Sequence, residues 1–179
     1  MTLRDELLQE HSKQHAHFLA KKIGPSQEDF DKLMTLFLCS ENQVAQRAAW
    51  IVSLCVENHP FLLQKHMSAI IENMQNPVHD AVKRNTLRIL QQVEIPEELM
   101  GLSAEICFQF LNSAREPVAV KVFAMTVLGN IASVYPELKM ELKISIEDQL
   151  PFASAGFQSR AKTELKRLEA RSDKKRKFI

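Results

Sequence analysis

Seven prolines (Pro25, Pro60, Pro77, Pro96, Pro117, Pro136 and Pro151) all fall between amphipathic segments and never inside one. Proline has no N–H to donate and its ring blocks helix continuation, so each position marks a helix start or a turn between helices. From Pro60 onward the gaps are 17, 19, 21, 19 and 15 residues. Each gap holds a helix of about four turns and a short connection. A chain punctuated in this way is predicted to be a row of similar helices.

The apolar residues agree. Phe30, Leu33, Met34, Phe37 and Leu38 follow the i, i+3, i+4, i+7, i+8 rhythm of one buried helix face. Leu99, Leu102, Ile106 and Phe110 do the same after Pro96, and Leu138, Leu142, Ile146 and Leu150 after Pro136. No segment alternates with period two over the length of a strand. Only four glycines occur in 179 residues, too few for a sandwich of tight turns. Nine helices are predicted, near 2–22, 27–39, 42–58, 60–75, 79–94, 96–112, 117–133, 136–149 and 155–170.

A repeat lies beneath the helices. Val82-Lys83-Arg84-Asn85-Thr86-Leu87-Arg88-Ile89-Leu90 precedes Val120-Lys121-Val122-Phe123-Ala124-Met125-Thr126-Val127-Leu128 by 38 residues without a gap. Arg47 opens a looser copy that reaches Leu54, and Arg160 opens a further one. Two helices per repeat of 36 to 39 residues is the signature of a solenoid. Glu116-Pro117, Val120-Lys121, Ala124 and Leu128-Gly129 together resemble the second helix of a HEAT repeat. The chain as a whole resembles small bacterial HEAT-repeat proteins, within the armadillo-type class of helical repeats.

That resemblance implies an all-α, right-handed α-solenoid of about four helix pairs. Its parts are expected to be a cap at 1–22, repeats near 27–58, 60–94, 96–133 and 136–170, and a disordered basic tail at 171–179. It also implies that Arg47, Lys83 and Lys121 are structural anchors that tie repeats together, with Lys121 near Glu116 or the turn carbonyls. First helices would form the convex side and second helices the concave one. On the second helices, Arg84, Arg88 and Gln91 form a polar stripe at i, i+4, i+7, flanked at equivalent positions by Val52, Val122 and Thr126. This mixed surface is the expected binding site for a protein partner.

Charge offers a second possibility. Residues 158–179 carry nine Lys or Arg against three acids, whereas the chain as a whole has a net charge of only +1. The tail residues Lys174, Lys175, Arg176 and Lys177 could hold nucleic acid by phosphate contacts. Such binding is expected to be weak.

Enzymatic readings lack parts. There is no glycine-rich phosphate loop and no convincing carboxylate pair or Ser/His/Asp grouping. The HEAT-like alkylpurine DNA glycosylases set an Asp among inner aromatic residues, and no acidic residue lies four positions from Trp50, the one tryptophan. Trp50 is expected in the core. His11 and His15, at i, i+4 with His17 nearby, could chelate zinc, but no third ligand is evident. No cofactor or metal is therefore expected. Cys39, Cys55 and Cys107 are scattered in apolar stretches and read as buried free thiols of a cytosolic protein. No apolar run is long enough to span a membrane.

Overall fold

The computed structural model describes residues 2–176, with side chains to Ala170. It contains ten α-helices and two 3₁₀ segments, with no strand among the described residues. The chain forms two compact units, Met1–Ile95 and Pro96–Ile179, divided where the repeat pattern sets the third helix pair off from the second.

The first unit holds α1 (Leu3–Gln9), α2 (Lys13–Ile23), α3 (Gln27–Phe37), α4 (Asn42–Asn58), a 3₁₀ segment (Pro60–His66), α5 (Met67–Asn73) and α6 (Asp80–Leu90). Its centre is α4, which is packed by α1, α2, α3, the 3₁₀ segment and α6. Of the predicted face, Phe30, Leu33, Met34 and Phe37 on α3 have no appreciable exposure, whereas Leu38, which caps the helix, is half-buried. Burial of that kind stabilises by roughly 1.5–3 kcal/mol for each large side chain.

The expected single helix over 2–22 is two helices. Glu10 is extended and ends α1, and Ser12 begins α2 by accepting the His15 N–H on its hydroxyl. A helix end exposes carbonyls that need donors, and here tertiary partners supply them. Arg47 donates to the Leu7 carbonyl at 3.0 Å and His15 Nε2 to the Glu6 carbonyl at 2.8 Å. The helix expected over 60–75 is likewise divided. Its first part winds as a 3₁₀ segment from Pro60, and Lys65 and His66 there both reach Asp31 of α3.

The second unit holds α7 (Glu97–Asn112), α8 (Val118–Val134), α9 (Leu138–Glu147), a 3₁₀ turn (Leu150–Phe152) and α10 (Ala155–Arg176). Here α8 is central, packed by α7, α9 and α10. The repeat is visible in three dimensions: Val82 and Val120, Leu87 and Met125, and Leu90 and Leu128 are buried pairwise at matching positions. The segment from 171, expected to be disordered, continues the helical backbone of α10 as far as Arg176. Lys177 lies outside the described residues. No helix among the described residues is long and apolar enough to cross a membrane.

Candidate functional site

The polar stripe and its apolar flanks fare differently. Arg84 is exposed on α6, and Gln91 is half-buried at its end. Arg88 lies 3.6 Å from Glu57 of α4, both side chains being well exposed. Val52, however, is completely buried, because α4 is covered by its neighbours along this face. Thr126 is only 8% exposed. Its hydroxyl donates to the Val122 carbonyl at 3.3 Å and accepts from Arg160 of α10 at 3.0 Å. Val122 is half-buried. Val52 and Thr126 are therefore core and seam residues and offer no apolar flank to the stripe.

Among the anchor positions, Arg47 holds the end of α1 as described. Lys83 is half-buried on α6. Lys121 finds a different acceptor from the one expected. Its Nζ donates to Gln149 Oε1 at 2.8 Å, and Gln149 in turn donates to the Ser145 carbonyl, so the contact runs from α8 to the end of α9. Lys174, Lys175 and Arg176 lie on the last turns of the α10 backbone.

The histidines are engaged in local packing. His11 meets Trp50 edge-on with ring centroids 6.0 Å apart, and His15 stacks on Phe18. Trp50 is half-buried, closing the cap onto α4 rather than sitting in the core. No group of three His, Cys, Asp or Glu among the described residues could hold a metal ion. Cys55 and Cys107 are buried, whereas Cys39 is partly exposed. Burial alone pushes the Cys55 thiol up to about 12 and raises Cys107 as well.

A site not anticipated from the sequence lies within the second unit. A groove of about 570 Å³ is lined by residues of α7, α8 and α9 and by the turn between the last two. Met100, Gly101, Ala104 and Phe108 of α7 form one wall. Ile131 and Tyr135 form the floor, and Leu138 the opposite side. Glu97, Glu98 and Glu105 stand on the α7 rim, Glu137 and Glu141 on the other, and all five are exposed. No Lys or Arg belongs to the lining. Tyr135 closes one end by donating its hydroxyl to Glu97 Oε1 at 3.1 Å; that bond is the first cause of its raised phenol pKa.

Local sequence explains the construction. The row Met100, Ala104, Phe108 advances by i, i+4, i+8 along one helix face, with glutamates at the adjoining positions. Gly101 sits mid-helix without positive φ, and a Cβ there would meet nothing within 4 Å. The legible clue was the concentration of acids in segments 96–112 and 136–149. What hid the site was that its two rims come from different helices.

No curated protein and no solved structure matches the chain. The family model of the HEAT repeat domain matches residues 3–168. With nearly all of its length matched and an all-α fold of paired helices, the chain belongs to the HEAT repeat family.

Proposed function

We propose that this protein is a non-enzymatic scaffold or adaptor, and that it holds a protein partner in the groove formed by α7, α8 and α9. Repeats of this family generally serve as protein-interaction scaffolds. The observation that carries the reading is the groove itself, in which the half-buried Met100, Phe108, Tyr135 and Leu138 surround the buried Ile131 and are framed by exposed carboxylates. An apolar centre with a polar rim is the anatomy of a protein-binding surface. The partner face thus moves from the second helices of the repeats to a cleft bordered by two first helices. Three free cysteines fit a reducing, cytosolic compartment.

The test is to fill the groove. Gly101→Leu projects a side chain into open space and should leave the helix content and melting temperature near wild type. Affinity capture followed by mass spectrometry should then lose a partner that the wild-type protein retains. An unchanged set of captured proteins would remove the groove from the proposal.

Nucleic-acid binding is supported by one observation, the excess of basic residues in 158–179. Two of those residues are engaged inside the unit: Arg160 with Thr126, and Arg167 with Asn130 and Glu164. Binding to a labelled oligonucleotide would accordingly be weak and steeply salt-dependent. Truncation after Glu169 would abolish it.

A further inference from the structure

We infer that the partner segment entering this groove is a short amphipathic helix whose apolar face is flanked by Lys and Arg, an inference that rests on the groove being the partner site. Three features of the second unit point there.

The first is charge. Five glutamates line the groove on both rims. Among the described residues no Lys or Arg forms an ion pair with any of them: Glu97 accepts from Tyr135, and Glu105 from Gln109 at 3.4 Å. Like charges gathered around one opening repel each other and create a negative potential focused by the apolar wall. A cationic segment relieves that repulsion. An acidic peptide or a nucleic acid would add to it.

The second is spacing. The strip from Met100 to Phe108 covers nine residues of α7, about 12 Å of helix axis. An incoming helix presents apolar residues at i, i+4 and i+7 over about 11 Å, a match to that strip. The carboxylates on both sides then face the basic flanks of the same helix.

The third is Gly101. A glycine in the interior of a helix costs about 1 kcal/mol relative to alanine. Neither of the usual structural reasons applies, since its φ is not positive and nothing packs on it. Its missing side chain leaves room against α7 where another backbone can approach closely.

The experiment uses the full chain and three fluorescently labelled synthetic peptides of about 14 residues with one shared Leu/Ala face. Their polar positions carry Lys, Gln or Glu, and spermine serves as a cation without an apolar face. By anisotropy the Lys peptide should bind, weaken as salt is raised, and lose about tenfold or more in the Glu98→Lys, Glu105→Lys, Glu141→Lys triple variant. Glu94→Lys, in the first unit, should leave its affinity unchanged. Spermine should compete poorly.

Preference for the Gln or Glu peptide, with binding abolished by Gly101→Leu, would overturn the basic-helix inference and keep the groove as a partner site. Spermine binding as tightly as the Lys peptide would overturn it in favour of a plain cation site. If no peptide binds and Gly101→Leu leaves the captured proteins unchanged, the groove reading itself falls.

Discussion

Gly129 of α8 lies directly against the Glu164 carboxylate of α10: a Cβ built on it would stand 2.5 Å from Glu164 Oε2 and 2.6 Å from Arg167 Nη2. The contact explains the Leu128-Gly129 pair in the repeat motif. Glu164 is only 2% exposed, and it is held between Arg167, whose Nε is 3.3 Å away, and the hydroxyl of Thr126. Arg167 also donates to Asn130 of α8 at 3.1 Å. A glycine thus admits a polar seam that fastens the last helix to the centre of its unit.

Two alanine substitutions should consequently have opposite signs. Gly129→Ala pushes the Glu164 carboxylate off its seat and is expected to destabilise by about 1–3 kcal/mol, overriding the gain in helix propensity. Gly101→Ala meets nothing and should stabilise by about 0.5–1 kcal/mol. Denaturant midpoints of the two variants against wild type check both.

Glu164 gives a pH dependence of defined sign. Desolvation is the main cause of its raised pKa, which Arg167, Thr126 and Arg160 only partly oppose. A carboxyl whose folded pKa lies above its unfolded value favours the fold at low pH, and that contribution is lost as pH rises through the folded value. Glu164→Gln mimics the neutral form. Its melting temperature should therefore gain on wild type as pH rises from about 4 to about 7. A difference that shrinks over that range would contradict the assignment.

Thiol chemistry should separate the cysteines. Only the thiolate reacts, and burial holds Cys55 and Cys107 protonated at neutral pH. A maleimide applied to the native protein should label Cys39 alone. All three should react in denaturant, as mass spectrometry of the two samples would show.

Lys121 and Arg88 test the phasing of the helices. Lys121→Met removes the donor to Gln149 in a half-buried seam and should cost on the order of 1 kcal/mol. Arg88→Met loses only a long, exposed pairing with Glu57 and should change stability by less than about 0.5 kcal/mol. Equal or reversed effects would displace Lys121 from its structural role.

Much of the fold was legible in local sequence. Prolines mark the end of α4 and the starts of α7 and α8 closely, because a missing donor acts wherever proline stands. The 38-residue match between Val82 and Val120 reappears as shared burial, because both residues face the core of their own helix pair. The break at Glu10–Ser12 was not legible. No glycine or proline marks it, and the donors that accommodate it, Arg47 above all, come from elsewhere in the chain. Thr126 misled in another way. A polar side chain suggested a surface, but Arg160 supplies its partner from 34 residues away. The groove escaped notice for the same reason: its rims are 97–105 and 137–141, and only the packing of α7 and α9 with α8 brings them together.

The most direct test of the account is site-specific photocrosslinking in cells. A benzophenone amino acid placed at Phe108, in the groove, should form a crosslinked adduct with a partner protein. The adduct should vanish when Glu98 and Glu105 are changed to Lys. The same probe at Arg84, exposed on α6 of the first unit, should give none. An adduct at Arg84 with none at Phe108 would contradict the account and return the partner site to the second helices.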